Sequence, residues 1–298
     1  MVDKFIHKPV MLEEILSFLE PKKGTTIVDA TIGTAGHAIE IVKRIAPAGK
    51  LVGIDRDQES LEIAKERLKE YGSRCIFIHD NFCNIDKILT SLDIKRVDGV
   101  ILDLGISSFQ LSNATRGFSF VNEGPLDMRM DRTNSISAFD LVNNLTQEEI
   151  ASLLWQFGQE RFSRRIARMI INKRNESVID TTTGLASIVL KALPHQRQYQ
   201  RIHPATRTFQ ALRIAVNQEL ESLEIFLQKI DKFMSKGGKI CILTFHSLED
   251  RIAKINFRNL AKTKEFKLIV KKPITPTIEE VKDNPRSRSA KLRILEKV

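Results

Sequence analysis

The fold class is decided by four short apolar segments in the first third of the chain: TTIVDA (25–30), KLVGID (50–55), CIFIHD (75–80) and GVILDLG (99–105). Each is rich in β-branched residues and too short for a buried helix. Such runs are typical of parallel strands that are covered on both faces. The stretches 36–45 and 58–71 between them carry apolar residues at helical spacing. This βαβ series predicts a doubly wound, Rossmann-like α/β domain.

The strand pattern is interrupted between residues 112 and 203. There a polar, glycine-containing stretch is followed by helical patterns, which predicts an inserted, mainly helical substrate-recognition domain over 112–203. One long helix is expected over 204–230, then a strand at 237–245, a helix from 246 and two final strands. The sheet would have about seven strands, and the first domain would comprise 1–111 and 204–298.

The bulk composition is that of a soluble globular protein. Of the 298 residues, 42% are hydrophobic and 28% charged. The first residues lack a basic region and a cleavage site, and no apolar run reaches the roughly 18 residues that span a bilayer. The three cysteines fit neither a zinc site nor a disulfide framework, and no His/Cys/carboxylate cluster has ligand spacing. We therefore expect a reduced, cytoplasmic protein without a membrane segment or a metal.

The positive charge is concentrated in two segments. Residues 156–213 hold 11 Lys and Arg against 3 Asp and Glu, and residues 262–298 hold 11 against 5. Since the net charge is +10, the remainder is mildly acidic. Such a distribution favours a local footprint for a polyanion such as RNA. On charge alone, solvated basic helices are an equal alternative.

Polar residues follow the ends of the predicted strands, where an open α/β sheet binds ligands. Asp29 begins the turn DATIGTAGH (29–37), in which Gly33 and Gly36 allow close approach of the backbone to a ligand. Because the three-glycine dinucleotide fingerprint is missing, a pyrophosphate site is disfavoured. A tight turn with no ligand is the alternative for this segment.

The next three strand ends offer further candidates. Asp55 stands where a carboxylate can accept the hydroxyls of a ribose, in S-adenosylmethionine or in NAD. Asn81 and Phe82 follow the third strand, where an adenine could stack or a packed ring and a turn could equally lie. Asp103, followed by two serines and Gln110, ends the fourth strand and should face the same crevice as Asp29.

Taken in series, these segments resemble one family, the bacterial 16S rRNA cytosine-N4 methyltransferases (RsmH or MraW). The similarity runs in order along nearly the whole chain. It is carried by H-x-P-V (His7, Pro9, Val10), AGH (35–37), GIDRD (53–57), DNF (80–82), DLGISSFQL (103–111), RGFSF (116–120), GPLDMRMD (124–131), HPATRTFQALR (203–213), FHSLEDR (245–251) and NPRSRSAKLR (284–293).

The resemblance implies a class I methyltransferase that moves a methyl group from S-adenosylmethionine to the N4 amine of a cytidine in the decoding region of 16S rRNA. Its partner would be 16S rRNA within the small ribosomal subunit. Where the family usually has glycine, this chain has Ala30 and Ala35, and Ala35 demands a backbone that tolerates a Cβ. Family cofactor contacts fall at Ala35, Gly36, His37, Asp55, Phe82, Asp103 and Gln110.

Catalysis needs an acceptor for the target amine and alignment of the reacting atoms. Asp103 is the first candidate, although the cofactor could use it wholly. His246 and Asp127 are further pocket candidates, and His246 could instead cap the helix that follows it. The base would have to leave its stack, with phosphates held by the basic segments. The candidate RNA contacts are Arg207, Arg213, Arg286 and Arg288, and surface solubility is the alternative for each.

Two other function classes remain open on the sequence. An NAD(P)-dependent oxidoreductase could use the same sheet, with Arg56 beside Asp55 as a phosphate partner, but it leaves the basic insertion unexplained. A non-enzymatic RNA-binding assembly factor could retain the cofactor fold. It predicts RNA binding without methyl transfer, and the acids at the strand ends argue against it.

Overall fold

The structure, a computed structural model, describes residues 9–194 and 203–298. His7 and residues 195–202 of the predicted insertion therefore lie outside the described residues. The chain divides into two compact units, Met1–Ser107 with Leu220–Val298 and Ser108–Glu219. The described α-helices are, in chain order, α1 (Leu12–Leu19), α2 (Gly36–Ile45), α3 (Gln58–Arg67), α4 (Ile85–Ser91), α5 (Ser108–Ser112), α6 (Ala138–Asn144), α7 (Gln147–Gly158), α8 (Ser163–Glu176), α9 (Thr182–Ala192), α10 (Thr206–Asn217), α11 (Glu219–Leu227), α12 (Ser247–Lys262) and α13 (Ile278–Asp283).

The first unit contains a seven-stranded sheet of order β3-β2-β1-β4-β5-β7-β6. The first five strands are parallel, and β7 runs antiparallel to both β5 and β6. The seven-stranded α/β prediction is therefore confirmed. The strands are β1 (Thr26–Asp29), β2 (Lys50–Asp55), β3 (Cys75–His79), β4 (Val97–Asp103), β5 (Met234–Thr244), β6 (Phe266–Leu268) and β7 (Lys291–Lys297).

Both faces of this sheet are buried, as its uninterrupted apolar strands require. Successive residues on a strand point to opposite faces. Ile27 and Ile101 accordingly belong to one apolar layer, while Val28 and Val100 belong to the other. Helices complete both layers with buried aliphatic residues, and the layer of Val28 and Val100 also contains the buried rings of Phe226 and Phe257.

The strand order reverses between β1 and β4, which places their carboxyl ends side by side. Asp29 at the end of β1 pairs with Ile101 of β4, two residues before Asp103. An open α/β sheet binds its ligand in the crevice at such a reversal. The strands that end in Asp29 and Asp103 are therefore neighbours at this crevice, as the sequence predicted.

The second unit is helical, and α7 and α10 approach closely within it. A Cβ on Gly158, the last residue of α7, would lie 2.6 Å from the carbonyl oxygen of Arg207 in α10. This contact explains why α10 belongs to the second unit, whereas the sequence placed the helix beginning near 204 in the sheet domain.

The single helix predicted over 204–230 is wrong, because α10 and α11 are separate. Gln218 between them adopts a left-handed conformation with φ 49°. The Asn217 amide accepts from the N–H of Met130 at 2.8 Å and donates to the carbonyl of Met128 at 2.8 Å. These tertiary bonds fix the end of α10, and helical periodicity gives no sign of them. None of the helices in 9–194 and 203–298 has the length and apolar character needed to cross a bilayer.

Candidate functional site

The turn from β1 into α2 forms one wall of the crevice. Gly33 has φ +51°, and a Cβ at Gly36 would lie 3.3 Å from the Cβ of Pro9. Glycine is favoured at both positions, at Gly33 by the backbone and at Gly36 by the tight space. Thr31 Oγ1 accepts the N–H of Asp103 at 2.6 Å, which ties the turn to the end of β4.

Ala35 departs from what the sequence led us to expect. It lies in the left-handed region, with φ 67° and ψ 32°, immediately before α2. Its N–H donates to the carbonyl of Ile32 at 2.8 Å, and the residue is fully buried. The turn therefore keeps the backbone shape that favours glycine while carrying a methyl group, at a cost of roughly 1 kcal/mol.

Asp55 at the end of β2 supports the same turn. One carboxylate oxygen accepts from the N–H of Gly33 at 2.7 Å, and the other accepts from the N–H of Asp57 at 2.9 Å. Burial raises the pKa of Asp55 to about 6. Since each carboxylate oxygen has two lone pairs, both can still accept a hydroxyl group such as those of a ribose.

His37, in the first turn of α2, is a neutral ring with a defined tautomer. Its Nε2 lies 2.9 Å from the carbonyl oxygen of Val10, and a carbonyl can only accept, so Nε2 carries the proton. Burial lowers the pKa of His37 to about 4, which leaves Nδ1 unprotonated at neutral pH. The Pro9-Val10 segment thus both packs on the glycine turn and orients this ring.

Asp103 presents an acceptor to the crevice next to that bare nitrogen. Its Oδ2 lies 3.7 Å from His37 Nδ1, which is too far for a direct hydrogen bond. Although 29% of the side chain is exposed, Oδ1 is buried and has no hydrogen-bond partner among the described residues. Burial, and next the charge of Glu249, raise the pKa of Asp103 to about 7. Two acceptors facing each other in this way suit a ligand N–H donor, such as an ammonium group.

Asp29 lies beneath these residues and is 2% exposed. Burial raises its pKa to about 8, with smaller contributions from the charges of Asp103 and Asp55. It is therefore protonated at neutral pH. The sequence placed Asp29 in the crevice without assigning it a role, and only its burial reveals it as a neutral acid.

Phe82 follows β3 and is half-buried. Its ring meets Phe226 edge to face, with centroids 5.7 Å apart. Asn81 accepts from the N–H of Cys83 at 3.1 Å and donates to Ser222 Oγ at 2.9 Å. The sequence left open a packed ring with a turn or an adenine contact; the structure shows the packing and the turn, and a fixed, partly open ring is compatible with both.

The first turn of α12, just after β5, contributes Glu249, a buried acid that the sequence did not identify. Glu249 accepts from the N–H of Phe245 at 2.8 Å and from that of His246 at 3.3 Å. His246 caps α12 through Nδ1, which accepts from the N–H of Glu249 at 3.4 Å. The capping alternative for His246 is thus observed. A helix-capping residue followed by an acid at the third position was the signal that could have found Glu249.

The other pocket candidates belong to the second unit. Gln110 is buried in α5. Asp127 forms a two-pronged ion pair with Arg129, at 2.7 Å and 3.0 Å, so its carboxylate is already bound to a cation. Asp127 and Arg129 line a shallow cavity with Pro125, Leu126, Ser137, Phe139 and Asp180.

The four candidate RNA-binding arginines differ in their surroundings. Arg207, Arg286 and Arg288 are exposed. Arg213 is only 14% exposed and forms a two-pronged ion pair with Glu219, with both N–O distances 2.9 Å. Its guanidinium is therefore committed within the second unit.

The segment GPLDMRMD is held by a buried residue that sequence reasoning missed. Arg116 is 1% exposed, and its guanidinium donates to the carbonyls of Arg129 and Met130 at 3.1 Å and 2.9 Å. Arginine is rarely buried, so no sequence signal predicted this position. The segment's unusual composition reflects at least in part its own tertiary support.

A seven-stranded sheet of this order, with acids at the carboxyl ends of the strands around the reversal, defines the class I S-adenosylmethionine-dependent methyltransferases. The model of the MraW methylase family matches residues 4–298. The chain belongs to that family.

Full-length relatives agree. The ribosomal RNA small subunit methyltransferase H of Clostridium botulinum (strain 657 / Type Ba4) is 46% identical over 310 residues, covering 99% of this chain and 100% of the relative. The protein of the same name from Geobacter sp. (strain M21) is 45% identical over 312 residues, covering 100% of each. Among solved structures, Aeropyrum pernix fibrillarin in complex with S-adenosyl-L-methionine matches with 10% identity and a TM-score of 0.42, over 94% of this chain and 73% of that one.

Proposed function

We propose that this chain transfers a methyl group from S-adenosylmethionine to the N4 amine of a cytidine in 16S rRNA, within the small ribosomal subunit. The observation that carries the proposal is the pair of facing acceptors, Asp103 and the bare Nδ1 of His37, at the reversal of a methyltransferase sheet. The names of the full-length relatives support small-subunit ribosomal RNA as the substrate. The resemblance of the motifs to the family supports cytidine as the target base.

The residues of the crevice fit this cofactor. A buried Asp103 oxygen without a partner among the described residues suits an ammonium group, which donates a charge-assisted hydrogen bond. The carboxylate of Asp55 has lone pairs left for ribose hydroxyls, and the ring of Phe82 suits the flat face of an adenine. S-adenosylmethionine would supply an electrophilic methyl group. Gln110 and the backbone of Ala35 and Gly36 would make further contacts with the cofactor.

The chain's own chemical task is to hold a weak nucleophile in place. The lone pair of the cytidine amine is delocalised into the ring, so an acceptor for one of its protons and exclusion of water both help. Asp103 remains the first candidate acceptor, since its raised pKa allows it to take a proton near neutrality. His246 and Asp127 remain weaker candidates, because one caps α12 and the other is paired with Arg129.

The RNA is held by basic side chains in this proposal. Arg207, Arg286 and Arg288 are exposed, so phosphates can reach their side chains. Arg213 would have to give up its pair with Glu219, so its contribution to affinity should be smaller. Splaying the cytidine out of its stack costs free energy, and the phosphate contacts would offset that cost.

Transfer of labelled methyl to small ribosomal subunits from cells lacking the enzyme tests the proposal, with nucleoside analysis of the product. The expected product is N4-methylcytidine, lost in Asp103→Ala. Label on another base would overturn the cytidine assignment and leave the class intact. RNA binding with no transfer to subunits or to their assembly intermediates would favour the non-enzymatic assembly factor.

A further inference from the structure

An unusual surface of the second unit lies at the start of α8. Four arginines are exposed there: Arg161, Arg164, Arg165 and Arg168. We call them the α8 arginine face. Arg164 and Arg168 lie one helical turn apart on α8, Arg165 follows Arg164 at 100° around the helix, and Arg161 lies in the turn just before the helix begins.

None of these guanidiniums is neutralised within the part of the chain that the structure describes, since no carboxylate forms an ion pair with them. The nearby acid, Glu160, is buried and accepts the N–H of Phe162 at 2.8 Å. The basic residues at the other end of α8 are occupied. Lys173 pairs with Glu176 at 3.2 Å, and Arg174 donates to the carbonyls of Val142 and Leu145.

The placement of these charges opposes the stability of the helix. The first turn of α8 contains no acidic residue and two of the arginines, where the helix dipole disfavours cations. Repulsion between Arg164 and Arg168, which are four residues apart on the helix, adds to the cost. A surface chosen only for solubility would avoid this arrangement, which indicates a bound anion.

The exposed Arg207 extends the face, because its Nη1 donates to the carbonyl of Gln159, two residues before Arg161. Trp155, the chain's single tryptophan, is 59% exposed and lies one helical turn before Gln159. Exposed guanidiniums together with an exposed aromatic ring on one helical unit are typical of single-stranded or loop RNA binding, through phosphate contacts and base stacking.

We propose that the α8 arginine face binds the phosphate backbone of the rRNA substrate beyond the target nucleotide. The inference rests on the proposed function, because it takes an RNA as the partner. It adds a binding surface on the helical unit to the arginines considered so far. Arginine suits this role because its planar donor fork matches a phosphate in two places.

The test compares two variants of the full chain with equal loss of charge. One replaces Arg161, Arg164, Arg165 and Arg168 with Gln. The other replaces four exposed lysines of the first unit, three of which lie at the amino ends of β1, β2 and β4, opposite the crevice: Lys23, Lys50, Lys87 and Lys95. The probe is a labelled 16S rRNA fragment of the decoding region, titrated by fluorescence anisotropy at several salt concentrations.

The arginine variant should lose at least tenfold in affinity at about 100 mM salt. The slope of log K against log salt should fall by about 3, since each lost phosphate contact is worth about 0.7 to 0.9. The lysine variant should change affinity less than twofold. RNA should also change the fluorescence of Trp155 in the wild type, and S-adenosylhomocysteine should bind all three proteins equally, which controls for folding.

Unchanged affinity and salt slope in the arginine variant would overturn the inference, as would RNA binding with no response from Trp155. Failure of the proposed function is distinguishable from either result. If the wild type binds the fragment through this face but methylates no subunit, the face stands and the assigned reaction fails. If methyl transfer occurs and the arginine variant matches the wild type, the reaction stands and the face fails.

Discussion

At the scale of single residues, the crevice contains three aspartates whose pKa values are raised above the ordinary value of an aspartate. Asp29, Asp103 and Asp55 have pKa values raised to about 8, 7 and 6, in each case chiefly by burial. Near neutral pH the site therefore holds one neutral acid, one acid close to half ionised and one mostly ionised acid. Each assignment gives a pH dependence that can be measured.

Asp103 should make cofactor binding depend on pH. Only its ionised form offers a charged acceptor to an ammonium group, so the affinity for S-adenosylhomocysteine should rise with pH up to about 7 and then level off. Asp103→Asn should bind at least tenfold more weakly at pH 8, since a hydrogen bond to a charged group contributes about 1.5 to 3 kcal/mol. Calorimetric titration at pH 6, 7 and 8 measures both.

The matched control for that variant is Asp231→Asn. Asp231 also has a buried carboxylate oxygen without a hydrogen-bond partner among the described residues, but it lies at the amino end of β5, whereas the crevice lies at the carboxyl ends of the strands. Asp231→Asn should leave the affinity for S-adenosylhomocysteine and its pH profile unchanged. An equal loss in both variants would show that Asp103 acts through stability and does not contact the cofactor.

Asp29 should make the stability of the ligand-free protein fall as the pH rises from about 4 to about 8. Its folded pKa is raised from 3.8 to about 8, so the neutral acid stabilises the fold at low pH and that contribution is lost as the pH rises through about 8. Asp29→Asn removes this titration. Between pH 5 and 8 the wild type should lose up to about 1.4 kcal/mol per pH unit relative to the variant, roughly 2 to 4 °C in Tm.

Thermal unfolding of both proteins at pH 5.5, 7 and 8.5 measures this difference. Parallel Tm curves would mean that Asp29 is ionised in the folded state. A constant offset is expected in any case from exchanging an acid for an amide, so only the change of the difference with pH is informative.

At the scale of elements, packing decides details that local sequence leaves open. Gly158 ends α7 with a Cβ position 2.6 Å from the Arg207 carbonyl, and Gln159 follows in a left-handed conformation with φ 49°. Gly158→Ala should destabilise the protein by about 1 to 3 kcal/mol, because α10 must move away. Gln159→Gly should stabilise it by up to about 1 kcal/mol, because glycine adopts that conformation without strain.

Chemical denaturation of these two neighbouring variants gives opposite signs if the contact is as described. Destabilisation by both substitutions would mean that the end of α7 tolerates no change, whatever its geometry. A neutral Gly158→Ala would show that α7 and α10 can separate at little cost.

The sequence predicted the elements of the sheet well and those of the second unit less well, for a physical reason. Buried parallel strands need uninterrupted apolar runs, so the first four strands could be located within a few residues. The break at Gln218 depends on hydrogen bonds between Asn217 and a loop some 90 residues earlier. Local periodicity contains no trace of such a contact.

The candidate site divides in the same way. Asp55 and Asp103 could be placed because strand ends are readable and parallel strands align them. The protonation of Asp29, the tautomer of His37 and the buried position of Glu249 could not, because each follows from burial or from a distant partner. Arg213 was selected as an RNA contact because it lies in the motif HPATRTFQALR. Its partner Glu219 lies outside that motif, so the ion pair between them could not be predicted.

At the scale of the whole molecule, the sheet alone is compatible with more than one nucleotide cofactor, and a binding measurement separates them. S-adenosylhomocysteine should raise the Tm, since a ligand at 100 times its Kd stabilises by about 2.7 kcal/mol. NADH and NADPH at equal concentration should produce no shift, because the turn at 29–37 lacks the three-glycine pyrophosphate fingerprint. Asp103→Asn should reduce the S-adenosylhomocysteine shift, and Asp231→Asn should not. A shift with NADPH that survives Asp103→Asn would place a dinucleotide in the crevice and revive the oxidoreductase alternative.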